Sequence, residues 1–333
     1  MTISRRRMLG TMTGAIAGGV AGIPAASGEA PAGLSPDAVG RCEDFAGARF
    51  TPAEQRQMTG TLDEMLDRLR LLRAHQLDNH VAPAVTFDPR LPGWTPRPRR
   101  AARASTPPTT PALPPLPVAE ADIAFAPAWQ QARWIETGRL TSRRLVELYL
   151  ARIAARAGRL NCMVTVLTAQ ARAAADRCDA EQRAGRRRGA LHGLPYGLKD
   201  LVDTRGIVTG WGAEPYRDRV PDRDAAIVAR LAAAGAVLIA KTSCGALAYG
   251  DLWYGGRTRN PWNPEEGSSG SSAGSAAAVA DGLCSFAIGT ETMGSIVSPS
   301  ARCGTVGLRP SFGRVPRSGV MALCWSYDKV GAL

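Results

Sequence analysis

Apolar residues fall at helical spacing in several stretches of this chain and in compact runs elsewhere, and the alternation of the two predicts the fold. Between Thr51 and His75, residues Leu62, Met65, Leu66, Leu69 and Leu72 share one helical face behind a Thr51-Pro52 start, which predicts a helix over 51–75. Leu145, Leu148, Leu150 and Ile153 predict a second over 141–157, and an alanine-rich segment predicts a third from Ala169 to about Arg183. Asp224 opens a further one. Cys162 to Leu167 (CMVTVL) and Ala236 to Ala240 (AVLIA) have the character of short buried strands. Strands alternating with helices indicate an α/β class with a layered core, and no internal repeat is visible.

The pattern breaks in two places. Ser4-Arg5-Arg6-Arg7-Met8-Leu9 leads into a weakly apolar, glycine-rich run that ends on small residues at Ala25, Ala26 and Ser27. Charge, apolar run and small-residue exit make a signal peptide of twin-arginine type over 1–27, which predicts a periplasmic or secreted protein. Thr11, Thr13 and the glycines make this run a poor spanning helix, so no stable membrane insertion is expected. From Thr95 to Pro117 the chain turns to proline, threonine and arginine and reads as an extended linker. That leaves a helical region over 28–94 and a main domain over 118–333.

Composition adds bounds. A chain of 333 residues, 45% hydrophobic, buries a sizeable core. The net charge of +12 raises nucleic acid as a partner, but the arginines sit in patches without interleaved aromatics to stack on bases. A solvated surface explains them, and no nucleic-acid partner is expected. The seven cysteines are widely spaced and include no CxxC pair, which argues against a disulfide framework or a zinc site. No metal or other cofactor is expected.

Three segments carry candidate chemistry. Lys199 closes Gly193-Leu194-Pro195-Tyr196-Gly197-Leu198-Lys199-Asp200, and a lysine in an apolar wall loses charge stabilisation and can serve as a base. The same segment alone fits a surface lysine after a strand equally well. Gly267 to Gly274 (GSSGSSAG) runs into Ala276-Ala277-Ala278-Val279-Ala280, where glycines allow tight turns and free N–H groups at a helix start can orient a hydroxyl. Alone, it also reads as a flexible loop. Its Gly270-Ser271-Ser272-Ala273-Gly274 matches the GxSxG elbow of esterases with Ser272 at the centre, yet a turn-like stretch precedes it and no histidine follows His192. Gly289 to Ser295 (GTETMGS) places a serine after a polar turn, where preceding N–H groups could hold an oxyanion.

Together these segments resemble the amidase signature family. Gly193 to Asp200 resembles its lysine motif, Ser269 to Ser295 its serine-rich signature, and Cys303 to Pro310 (CGTVGLRP) the motif after its nucleophile. The resemblance covers roughly Phe125 to Leu333. It implies an amidase-signature fold, a central twisted mixed β-sheet flanked by helices, and a Ser/cis-Ser/Lys triad. The family's relay serine and nucleophile stand 24 positions apart, as Ser271 and Ser295 do. The resemblance therefore makes Ser295 the nucleophile, Ser271 the cis-peptide relay hydroxyl and Lys199 the base. The backbone N–H groups of Thr292, Met293 and Gly294 become the oxyanion hole.

The implied activity is hydrolysis of a small-molecule carboxamide to a carboxylate and ammonia or an amine through an acyl-enzyme. A glutaminyl amidotransferase A-like subunit shares the fold, and the export signal speaks against it. Ser269-Gly270 and Ala273-Gly274 stand where the family has glycine pairs, and Met293-Gly294 stands where another is usual, a change expected to narrow the oxyanion approach. Val297 replaces a common arginine. Family members continue well past the last motif, so the C-terminal part of the fold is expected to be missing. An exported, catalytically impaired remnant is accordingly a further reading.

Overall fold

The computed structural model describes residues 34–43, 47, 49–75 and 112–333, so the expected signal over 1–27 and most of the proline-rich stretch lie outside the described residues. The chain divides into two compact units, Met1–Val81 and Ala82–Leu333.

In the first unit, α1 (Pro36–Gly40) precedes α2 (Pro52–Ala74), which realises the helix expected over 51–75. Its start is fixed by a reciprocal pair of bonds: the Glu54 N–H donates to Thr51 Oγ1 (3.3 Å) and the Thr51 N–H donates to the Glu54 carboxylate (2.7 Å).

The second unit opens before the first of its helices. Leu113 and Leu116, at the end of the expected linker, pack against the main core, and Trp134 Nε1 donates to the Pro114 carbonyl (2.9 Å). Then come α3 (Glu120–Phe125), α4 (Ala128–Glu136) and α5 (Ser142–Leu160). The apolar spacing of α5 turns Leu145, Val146, Leu148, Tyr149, Ile153 and Leu160 inward. Each such burial contributes roughly 1.5–3 kcal/mol for a full leucine or isoleucine side chain. Asn161, at φ 50°, ends the helix in the left-handed region.

Among the described residues, seven strands and four more α-helices complete the unit. β1 (Met163–Val166) leads into α6 (Thr168–Arg183), β2 (Pro195–Lys199), α7 (Ala226–Ala233) and β3 (Val237–Thr242). A small hairpin of β4 (Leu252–Trp253) and β5 (Gly256–Arg257) follows, then α8 (Ala273–Ala280), β6 (Phe286–Glu291), α9 (Val297–Cys303) and β7 (Lys329–Ala332). The sheet runs in the order β1-β3-β2-β6-β7. Its three central strands β3, β2 and β6 are parallel, and the edge strands β1 and β7 run antiparallel to them. This is the mixed sheet flanked by helices that the sequence implies.

Two expectations are modified. The strand expected to end at Ala240 continues through Lys241 and Thr242, paired with Leu198 and Lys199 of β2. Asp224 does not cap α7, which starts after Ala225 without a side-chain cap; its carboxylate accepts the Arg205 N–H instead (2.7 Å), fastening the preceding loop. Among the described residues no helix is long and apolar enough to cross a membrane.

The start of α5 is capped from outside as well as by its own Thr141. The carboxylate of Asp179, on α6, accepts the N–H groups of Ser142 (2.7 Å) and Arg143 (3.0 Å). Removing it leaves two helix-start donors without acceptors in a buried setting. Asp179→Ala is expected to cost about 2 kcal/mol of stability, read from the urea midpoint; an unchanged midpoint would show that water replaces the carboxylate.

Candidate active site

β2 lies between two parallel neighbours with helices covering the sheet, and all five of its residues are buried. Lys199 closes this strand with no exposed surface. Its Nζ donates to Ser271 Oγ (2.9 Å), Ser272 Oγ (3.1 Å), Thr290 Oγ1 (2.8 Å) and the Thr290 carbonyl (3.2 Å). Burial strips the ammonium of water and pushes its pKa from 10.5 down to about 7, against the opposing pull of Cys244, Asp328 and Glu291. Lys199 is thus a buried lysine, not the surface residue that its segment also allowed.

The serine-rich run is rigidly seated against the rest of the unit. A Cβ on Gly270 would stand 1.9 Å from the Gly250 carbonyl oxygen, so only glycine lets these two backbones meet. The Gly270–Ser271 peptide is cis, and Ser271 and Ser272 are buried at the entry to α8. Ser272 is held on both sides: its hydroxyl donates to the Thr290 carbonyl (3.1 Å) and accepts the Thr290 N–H (3.2 Å). Those bonds commit the hydroxyl to clasping β6, and the esterase elbow centred on Ser272 gains no support. Ser269, in a position where the family has glycine, takes φ 62°, and its hydroxyl lies 2.8 Å from that of Ser298.

Ser295 stands in the turn between β6 and α9, and its carbonyl accepts the Ser272 N–H (3.1 Å), which brings the two serine-bearing segments side by side. The Ser271 hydroxyl accepts from Lys199 Nζ and makes no hydrogen bond to the Ser295 hydroxyl. Among the described residues the N–H groups of Thr292, Met293 and Gly294 meet no acceptor. Gly294 adopts φ 92°, and Met293 is 91% exposed. Glu291 accepts the N–H groups of Ile296 (2.9 Å) and Val297 (3.0 Å) and so fixes the far side of the turn.

Sequence reasoning did not single out Thr290, Glu291 or Lys241. The first two lie inside the segment Gly289 to Ser295, but nothing in the order of residues tells that Thr290 faces a lysine 91 positions earlier. Lys241 follows the apolar run of β3 without a break, a signal of burial. Its Nζ donates to the Val202 carbonyl (2.7 Å) and Thr209 Oγ1 (2.7 Å) and lies 3.5 Å from Asp200. Asp200 in turn accepts the Gly210 N–H (2.8 Å). Burial raises the Asp200 carboxyl to about 6, with Lys241 pulling against that rise. This pair anchors the loop that leaves the end of β2.

Among the described residues one cluster has metal-ligating residue types, Cys178, Glu181 and His192, with candidate atoms within 4.8 Å of one another. Their donors are engaged otherwise. Both Glu181 oxygens meet the Arg188 guanidinium, while His192 Nε2 faces the Cys178 carbonyl (2.9 Å) and its Nδ1 accepts the Arg188 N–H (3.4 Å). The cluster ties the end of α6 to the following loop.

The amidase family model matches residues 144–333. The chain belongs to the amidase family. It is 44% identical over 199 residues to the glutamyl-tRNA(Gln) amidotransferase A-type subunit of Roseiflexus sp. (strain RS-1), a match covering 59% of this chain and 41% of that relative. The structure of the peptide amidase from Stenotrophomonas maltophilia aligns with a TM-score of 0.59 at 39% identity, over 62% of this chain and 44% of that one. A fatty acid amide hydrolase structure aligns with a TM-score of 0.61 at 26% identity, over 65% and 40% respectively. The chain thus spans less than half the length of these amidase-family relatives.

The low pKa of Lys199 has a stability consequence. Between about pH 7 and 10.5 the unfolded chain holds a proton on this lysine that the folded chain lacks, so the site's contribution to stability rises with pH through that window. Below pH 7 the cost of the buried ammonium is present in full. Lys199→Met removes the titration, so its stability relative to the parent is expected to be higher at pH 6 than at pH 10. Urea midpoints at the two values measure this, with Lys241 common to both proteins; a difference independent of pH would contradict the depressed value.

Proposed function

We propose that this chain hydrolyses a carboxamide through an acyl-enzyme on Ser295, with Ser271 as proton relay and Lys199 as base. The observation that carries the reading is the buried Lys199 amine 2.9 Å from the hydroxyl of Ser271, on a segment bonded to Ser295. With the amine neutral, the Lys199–Ser271 contact runs in the opposite sense, the Ser271 O–H donating to the nitrogen lone pair. Ser295 Oγ attacks the amide carbon and gives its proton to Ser271, whose own proton passes to Lys199. The carbonyl oxygen becomes an oxyanion, and in this reading the N–H groups of Thr292, Met293 and Gly294, which meet no acceptor, receive it. Collapse breaks the C–N bond, and the proton returns through Ser271 to the departing nitrogen. Water then attacks the Ser295 ester by the same route and releases the carboxylate.

Thr290 supports this role. Its hydroxyl and carbonyl accept from the Lys199 nitrogen, so that with the amine neutral they take its N–H groups and leave the lone pair for Ser271. We take the substrate to be a small linear amide, with selectivity set outside the triad; the family match supports action on an amide C–N bond.

A second reading is favoured by the 44% identity to the amidotransferase protein: glutamine amide hydrolysis that depends on partner subunits. It conflicts with the twin-arginine export proposed for residues 1–27. Ammonia release by the purified chain alone, from a panel of simple amides and from glutamine, separates the two.

Ser295→Ala is expected to abolish ammonia release and trapping of an acyl-enzyme by intact mass; retained turnover would overturn the assignment. The base must be neutral in the free enzyme, so kcat/KM is expected to rise with pH through about 7, the value to which burial brings Lys199. A profile flat between pH 5 and 9 would remove Lys199 from the role.

A further inference from the structure

The turn that carries Ser295 is anchored from a segment more than thirty positions later. Thr292 Oγ1 donates to Asp328 Oδ1, and Lys329 Nζ donates to the Thr292 carbonyl (3.1 Å), so the hydroxyl and the carbonyl of Thr292 are taken by consecutive residues. Asp328 is itself buried and fixed, for its carboxylate also accepts the N–H groups of Leu323 (2.9 Å) and Cys324 (3.1 Å). The other end of the turn is held by Glu291 on Ile296 and Val297. Between these two anchors lie Met293 and Gly294, whose N–H groups are unspent and whose direction depends on where the ends are held.

We propose that Asp328 is a positioning residue that, through the Thr292 hydroxyl, sets the direction of the Met293 and Gly294 N–H groups beside Ser295. The inference rests on the reading of Ser295 as nucleophile for its catalytic meaning, while the clamp itself is a matter of geometry. A donor displaced by about 1 Å can cost about 100-fold in rate, so a single hydroxyl–carboxylate contact in this place has leverage far beyond its share of stability.

The test uses the full chain, with Asp328→Asn, Thr292→Val and the double variant. Asparagine keeps an acceptor for the Leu323 and Cys324 N–H groups, and valine keeps the shape of threonine, so both retain the packing. Amide hydrogen exchange over residues 292–297 reads the clamp without chemistry, and each variant is expected to speed it about ten-fold. The rate at which an alkyl fluorophosphonate labels Ser295, followed by intact mass, reads its catalytic meaning. Each single variant is expected to slow labelling at least about ten-fold, with the double variant no slower than the slower single.

The pH dependence of labelling separates the two members of the pair. The charged and titratable groups acting on Lys199 are Cys244, Asp328 and Glu291. Loss of the Asp328 charge removes an influence that favours the ammonium, so the acid limb is expected to move to lower pH in Asp328→Asn and to stay in place in Thr292→Val. A change that only loosened the fold would leave it in place in both. Exchange unchanged in both variants overturns the clamp, as do labelling rates that multiply in the double variant or a loss of cooperative unfolding in both singles. Faster exchange in a protein whose parent form is never labelled at Ser295 upholds the clamp and overturns the nucleophile instead.

Discussion

A lysine amine held out of water at the end of a central strand is the constraint around which the main unit is built. Taking an ammonium out of water costs several kcal/mol even after the protein relaxes, so Lys199 needs a site that is dry and that serves the neutral amine. Dryness comes from the parallel neighbours of β2 and from α8, whose buried face is made of alanines, a glycine and a serine that let helix and sheet approach closely. Gly197, two residues before the lysine, shows how tight that approach is: a Cβ there would stand 2.9 Å from Thr242 Cγ2. The acceptors come from Thr290, Ser271 and Ser272, on a strand and a turn brought together only by the completed fold.

The glycine- and serine-rich composition near the site serves contact, not mobility. Three loops interlock with backbone against backbone. A Cβ on Gly212 would meet the Cys244 carbonyl oxygen at 2.2 Å, and one on Gly245 would meet the Gly250 carbonyl oxygen at 2.0 Å. Non-glycine residues nearby also take left-handed conformations, Trp211 at φ 55°, Leu247 at 50° and Ser269 at 62°. Each such residue costs roughly 1–2 kcal/mol of backbone preference, a cost that the surrounding packing offsets. Concentration of this strain around one pair of serines is the pattern expected of a preorganised site.

Helices with strong apolar spacing and strands with compact apolar runs were legible because their information is local. α2, α5 and α6 lie within a few residues of the ranges that periodicity predicts, and β1 and β3 grow from the two apolar runs. Lys199, Ser271 and Ser295 were legible through a resemblance and its spacing, and the first two are brought into contact. What stayed hidden depends on partners distant in the chain. Asp179 reads as an ordinary helix residue until its carboxylate meets the start of α5, 37 positions earlier. Thr290 and Asp328 carry no signal of their own until their partners are placed. Asp224 fails in the other direction: its local signal as a helix start is sound, but a loop N–H captures the carboxylate first.

The acids beside the Ser295 turn couple two properties that a simple description would keep apart. Glu291 and Asp328 fix the ends of the turn by accepting N–H and O–H groups, and negative charge suits that task. The same charges, after Cys244, act on Lys199 and favour its ammonium, the form that the proposed base role excludes. Burial opposes them and prevails, leaving the amine near neutrality instead of far below it. An amine pushed much lower would be neutral at all working pH values but a poor proton acceptor, since basicity falls with the pKa. The two acids therefore shape the turn and, together with Cys244, oppose the effect of burial on Lys199, so a change on the turn is felt at the lysine.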